Sequence, residues 1–85
     1  MEYVHGAEQL LPRVSAVEVL PCYKLLLEFR NGERRIFDMS AYLSMPAYKS
    51  IERDFNSAHV EFGTIVWSGD IDISPETLYI KSIPT

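Results

Sequence analysis

The side chains best suited to chemistry gather near the C-terminal end: Asp70, Asp72 and Glu76, preceded by Trp67 and Gly69 and followed by Tyr79. An Asp-x-Asp start is how a calcium loop opens, because alternating positions of a tight loop can each turn an oxygen toward one ion. Such a loop also needs glycine at its sixth position and glutamate at its twelfth. Counted from Asp70, those positions hold Pro75 and Lys81, so the motif is incomplete. In an extended segment Asp70 and Asp72 share one face, which leaves room for a weak cation or small ligand on the Trp67–Glu76 stretch. General acid–base hydrolysis would ask more, since it needs paired carboxylates in a pocket. Trp67, Gly69, Asp70, Asp72 and Tyr79 are also the natural makings of a recognition patch. Tryptophan is enriched at interface hot spots and glycine permits close approach. The plainer reading has Trp67 capping the core and Gly69 supplying a turn.

Other reactive residues lack company. His5 and His59 are the two histidines, and no Cys-x-x-Cys or His-x-x-x-His spacing joins them to Cys22 in a zinc set. Cys22 follows Pro21 with no base or helix start to lower its pKa. None of the serines stands in a Gly-x-Ser-x-Gly elbow. No catalytic residue, metal or cofactor is expected from this pattern.

The elements that must position these residues are legible from periodicity. The 85 residues suffice for one domain, and 47% hydrophobic with 12% aromatic residues suits a folded core. Residues 1–12 read as a lead-in and residues 13–85 as a single domain. Val14 to Leu20 is a β-branched run ending at Pro21, and Tyr23 to Arg30 is a second strand. Asn31-Gly32 predicts a type I′ hairpin with both residues at positive φ. That register sets Arg30 against Glu33, Glu28 against Arg35 and Leu26 against Phe37 on one face. On the other it sets Phe29 against Arg34, Leu27 against Ile36 and Leu25 against Asp38, with Leu25, Leu27, Phe29 and Ile36 as core.

Asp38 to Leu43 reads as a helical turn capped by Asp38 or Ser40. Residues 47–54 read as a two-turn amphipathic helix, with Tyr48, Ile51 and then Phe55 turned inward. Ala58 to Phe62 and Thr64 to Trp67 form a hairpin about Gly63, and Asp70 to Ile73 continues as a strand. Ser74-Pro75-Glu76 carries the signature of a helix start: a capping hydroxyl, proline at the first helical position and an acid at the positive end of the dipole. The fold class is therefore α+β, with antiparallel hairpins packed on one amphipathic helix and a short C-terminal helix.

The hairpin Leu25-x-Leu27-x-Phe29-x-Asn31-Gly32-Glu33-x-Arg35-x-Phe37-Asp38, the helix after it, and the block from Trp67 and Gly69 through Asp72-Ile-Ser-Pro75-Glu76-x-Leu78-Tyr79 together resemble the bacterial domain-of-unknown-function family 2442. The resemblance runs from about Arg13 to Lys81. It implies a small α+β domain with no catalytic residues to carry over. It also implies a regulatory or protein-binding setting, since some members are followed by a helix-turn-helix module and others lie beside toxin–antitoxin-like genes. No DNA-reading module is expected in this chain, and Trp67-Ser68-Gly69 departs from the family's usual loop.

Net charge is −4, from twelve acidic and eight basic residues. Nucleic-acid affinity comes mainly from clustered Lys and Arg on phosphates, and Arg34-Arg35 is the one basic pair, so no direct nucleic-acid binding is expected. One cysteine and no signal-like or membrane-length apolar run suggest a cytoplasmic protein. These readings converge on a non-catalytic regulatory or protein-interaction module with a protein partner, able to form a homodimer through an uncovered sheet face or edge.

Overall fold

A computed structural model describes residues 11–68 and 71–85 of the chain. Its strands are β1 (Val14–Leu20), β2 (Lys24–Phe29), β3 (Arg34–Asp38), β4 (His59–Glu61), β5 (Thr64–Trp67), β6 (Ile71–Ile73) and β7 (Ile83–Pro84), with helix α1 (Pro75–Lys81) between the last two. They form two antiparallel sheets, one in the order β1-β2-β3-β7 and one in the order β4-β5-β6. The mixed α+β class is as the sequence predicts.

The β2–β3 hairpin shows why the sheet has the core it has. Its register pairs Lys24 with Asp38, Leu25 with Phe37, Leu26 with Ile36, Leu27 with Arg35 and Glu28 with Arg34. This is one residue away from the type I′ expectation and corrects it. The Gly32 N–H donates to the Phe29 carbonyl at 2.9 Å, closing a turn over Phe29–Gly32. Gly32 alone in that loop takes positive φ, at +91°. Asn31 instead uses its side chain: Oδ1 accepts the Glu33 N–H at 3.0 Å and Nδ2 donates to Glu33 Oε2 at 2.8 Å. A local bond of this kind suits a three-residue loop, a turn followed by one left-handed glycine. Because strand side chains alternate, one residue of slip exchanges the faces of β3. Phe37 therefore enters the core with Leu25, Leu27 and Phe29, while Ile36 faces outward with Leu26. The expected cross-strand charge pairs, Arg30 with Glu33 and Glu28 with Arg35, are replaced: Glu28 lies opposite Arg34, and Arg35 bonds Glu33 two residues back along the chain.

The second correction concerns the middle of the chain. The expected amphipathic α-helix is a 3-10 helix over Pro46–Glu52, flanked by 3-10 turns at Ser40–Tyr42 and Phe55–Ser57. Side chains three apart eclipse in a 3-10 helix, so the Tyr48 and Ile51 spacing serves it directly. Ile51 is buried and Tyr48 half-buried. Ahead of it, the Asp38 carboxylate accepts both the Ser40 N–H at 2.9 Å and its hydroxyl at 2.6 Å, but the cap position of the turn is held by Met39 rather than by Asp38 or Ser40 as expected.

The β4–β5 hairpin does take the two-residue loop that Asn31-Gly32 does not. Phe62 and Gly63 sit at φ +54° and +77° between Glu61 and Thr64, which pair. The Gly63 carbonyl accepts the Val14 N–H at 2.9 Å, stitching this turn to the start of β1. Between the sheets lies one core, with Val14, Leu25, Leu27, Phe29, Phe37, Met39, Ile51, Phe55, Ile65, Trp67, Ile73 and Leu78 all buried. The helix α1 begins as predicted, with Ser74 Oγ accepting the Thr77 N–H at 3.1 Å and Pro75 at its first position. No sequence signal announced β7, whose Ile83 and Pro84 pair with Ile36 and Arg35.

Candidate functional site

Of the sequence-predicted patch, Trp67, Asp72 and Tyr79 are described, and Trp67 is buried away from the surface that Asp72 occupies. Gly69 and Asp70 lie outside the described residues, as do His5 and most of the lead-in. Trp67 ends β5 with 1% of its surface exposed and its ring 6.2 Å from that of Phe55. In the β5–β6 register Trp67 pairs with Ile71 and Val66 with Asp72. Successive strand residues point to opposite faces, so Asp72 projects from the side of the small sheet opposite Trp67. The indole belongs to the core, as the plainer reading of Trp67 has it. Its Nε1–H is buried without a hydrogen-bond partner among the described residues. Glu76 is exposed in the first turn of α1, where a negative charge complements the helix dipole.

Tyr79 belongs to a different assembly, which joins the β2–β3 hairpin to α1. Arg35 is its centre. The Arg35 side chain is 13% exposed, with Nη1 3.0 Å from Glu33 Oε1. Nε donates to Ser82 Oγ at 2.7 Å, and Nη2 donates to the Ser82 carbonyl at 2.8 Å. The guanidinium also lies 4.5 Å from the centroid of the Tyr79 ring. The Tyr79 hydroxyl donates to Glu33 Oε2 at 2.7 Å, and its ring meets Phe29 edge-on at 5.1 Å. A planar cation with five fixed donors suits such a junction, because one side chain can satisfy a carboxylate, a hydroxyl and a helix-end carbonyl together.

These contacts set the electrostatics. The hydrogen bond from Tyr79, then those from Asn31 and Arg35, hold the Glu33 carboxyl below the usual glutamate value, against a smaller desolvation effect. The same bond, with the negative charge it touches, pushes the Tyr79 hydroxyl above its ordinary value. A carboxylate whose acceptors are engaged on three sides makes a poor general base. The cluster is built to hold elements together, and only the Glu33-x-Arg35 spacing on one strand face hinted at it in sequence. Tyr79 and Ser82 stand more than forty residues away, and no periodicity links them to the hairpin.

A smaller polar knot fixes the end of β5. The Ser68 N–H donates to Ser57 Oγ at 3.0 Å and the Ser68 hydroxyl to Asp54 Oδ2 at 3.1 Å. Thr64 gives its hydroxyl to the Ile73 carbonyl, tying β5 to β6.

The remaining candidates are dispersed. His59 lies exposed on β4, with Nδ1 2.9 Å from the Ser57 carbonyl and Nε2 3.3 Å from Glu61 Oε2. The Ser57 carbonyl, and then Glu61, raise its pKa. Cys22 is exposed at the β1–β2 turn beside an open depression of about 390 Å³, bordered also by Glu52, Arg53 and Asn56. Among the described residues no three His, Cys, Asp or Glu side chains group as a metal would require. No helix among them is long and apolar enough to cross a membrane.

One surface feature escaped the sequence reading. Phe62, at the tip of the β4–β5 hairpin, is 87% exposed while its backbone sits in the left-handed region. For a bulky residue that conformation is unusual and costs about 1–2 kcal/mol.

The model of a family described as protein of unknown function, DUF2442, matches residues 14–84, and the chain belongs to that family. No curated protein and no solved structure matches it.

Proposed function

We propose that this member of the DUF2442 family is a non-catalytic interaction module that engages a partner protein through the tip of its β4–β5 hairpin. The observation that carries the reading is Phe62 itself. An aromatic ring 87% exposed to water, on a backbone at φ +54°, is unfavourable on both counts for an isolated domain. Asparagine would fill the same turn position with less strain. Aromatic side chains are enriched where interfaces concentrate their binding energy, and a hairpin tip can insert one into a pocket. The net charge of −4 favours a protein over a nucleic acid as the partner. The reading is non-catalytic because the best-organised polar groups, Glu33, Arg35 and Tyr79, are occupied with one another.

A photo-crosslinking amino acid placed at position 62 in cells tests this. A discrete protein adduct is expected from position 62 and not from position 45, where Met45 is 46% exposed on a different segment. Phe62→Asn, in a chain without the cross-linker, should abolish co-purification of the same protein while leaving the domain at least as stable. Equal labelling from both positions, or adducts to nucleic acid alone, would refute the reading.

A further inference from the structure

The outer face of the larger sheet carries a charge pattern that matches itself. Reading across the strands, the hydrogen-bond register places Glu18, Leu26, Ile36 and Ile83 in one row. On one side of it lies the row Leu20, Lys24, Asp38, and on the other the row Ala16, Glu28, Arg34. Leu20, Leu26 and Ile36 are half-buried yet do not belong to the core cluster, and Ile83 is 69% exposed. This row, apolar but for Glu18 at one end, is flanked on one side by a cation and an anion, and on the other by an anion and a cation in the opposite strand order.

We propose that this face is the interface of a homodimer, packed on a second copy about a two-fold axis that runs between β2 and β3 along the strands. That operation lays Leu26 over Ile36 of the second copy, and Lys24 over its Asp38. It lays Glu28 over Arg34 of the second copy, and Glu18 over its Ile83. Every charged corner meets its opposite, and an isologous contact repeats each pair twice. A two-fold across the strands would also match the corners, but it would stack Glu18 on Glu18 of the second copy, which disfavours it.

At about 4.8 Å between strands and 3.4 Å per residue, the face measures roughly 19 by 20 Å, so the pair covers on the order of 800 Å² in projection. Accessible surface exceeds projection, which places the contact among the smaller specific interfaces. The association is therefore expected to be reversible and visible in the micromolar-to-millimolar range. It is independent of the partner proposed at Phe62, which lies on the other sheet.

Sedimentation velocity of the full chain across that concentration range tests the inference. A monomer–dimer equilibrium is expected, and Phe62→Asn should not change it. Ile36→Lys should weaken it by about tenfold or more with an unchanged circular dichroism spectrum. Glu28→Lys and Arg34→Glu, both at exposed positions, should each weaken it. The double variant E28K/R34E should restore it to within about threefold, because the swapped charges again meet opposites. A two-fold across the strands would instead press those swapped charges against like ones, position 28 on Lys24 and position 34 on Asp38. Failure of the double variant to recover therefore overturns the proposed axis. A monomer at every concentration overturns the interface altogether.

Discussion

Replacing Arg35 with alanine should be among the most damaging changes available outside the hydrophobic core. The side chain is 13% exposed, and two of its bonds go to Ser82, a residue 5% exposed at the end of α1. Bonds from a charged donor to a buried neutral partner contribute about 1.5–3 kcal/mol each. The contact with Glu33, whose side chain is 40% exposed, adds little once water screens it. Loss of the Ser82 bonds alone therefore comes to about 3 kcal/mol at the low end of that range, a large share of the roughly 5–15 kcal/mol typical of a small domain. For a chain of this size the melting temperature should fall on the order of 15 °C. Arg35→Lys keeps the charge but cannot bond Ser82 Oγ and its carbonyl through one rigid fork, so it should recover about half the loss or less. The matched control is Arg34→Ala, an exposed neighbour that should cost about 0.5 kcal/mol or less. Urea unfolding followed by Trp67 fluorescence reads all three. If Arg35→Ala unfolds at the same urea concentration as Arg34→Ala, the view that this cluster anchors α1 to the hairpin is wrong.

Three further outcomes follow from the same packing. Leu27→Ala, at a fully buried site, should destabilise by about 3–4 kcal/mol in equilibrium unfolding; a loss below about 1 kcal/mol would mean that the core collapses to fill the space. Gly32 and Gly63 both hold positive φ, but a methyl group at Gly32 meets nothing within 4 Å, whereas at Gly63 it lies 2.9 Å from Arg13 Cβ. Alanine should therefore cost about 1 kcal/mol at Gly32 and visibly more at Gly63, and equal losses would discount the steric contact. Glu33 and Asp38 have folded pKa values below their unfolded ones, 4.5 and 3.8. Their stabilisation is complete above those values and is lost as pH falls through the folded ones; Tyr79, raised above 10.0, contributes below that pH and loses its share as pH rises through its folded value. Glu33→Gln should flatten both limbs of a stability–pH profile, and an unchanged alkaline limb would show that Tyr79 does not depend on Glu33.

What could be read from the residues follows from the range of the forces involved. Strands β1 and β2, the hairpin about Gly63 and the start of α1 rest on signals within a few residues: β-branched runs, a glycine turn, and the Ser74-Pro75-Glu76 cap. They stand where the sequence predicts. Asn31-Gly32 marked a hairpin correctly but not its loop length, because Asn31 serves equally at positive φ or as a side-chain acceptor for the residue two ahead. Here the second use prevails and shifts the register. Residues 47–54 carried spacings of three and four that fit either helix type, and here the segment takes the tighter one. Trp67 leaves the expected patch for a related reason: it and Asp72 are near in sequence, but strand alternation turns them to opposite faces. The Arg35–Ser82 junction was invisible because nothing in either segment encodes the other.

Among the described residues, the three non-glycine residues at positive φ separate what the fold needs from what it does not. Cys22 and Tyr23 lie in the β1–β2 turn at +64° and +60°, and Phe62 at +54°. Local strain persists where surrounding structure over-determines it. At Tyr23 that structure is evident: its carbonyl accepts the Met39 N–H at 2.9 Å, and its ring meets Phe55 edge-on at 5.3 Å. The awkward backbone delivers an aromatic ring to the core and a hydrogen bond to the end of β3, so packing offsets the strain. Phe62 has the same backbone cost, and its ring lies 87% in solvent. A turn that closes equally well around asparagine holds instead a large apolar side chain where the domain itself gains nothing from it. Sequences break local rules chiefly at functional positions, and by that criterion the hairpin tip, rather than the cysteine turn, is the position that supports the proposed contact with a partner.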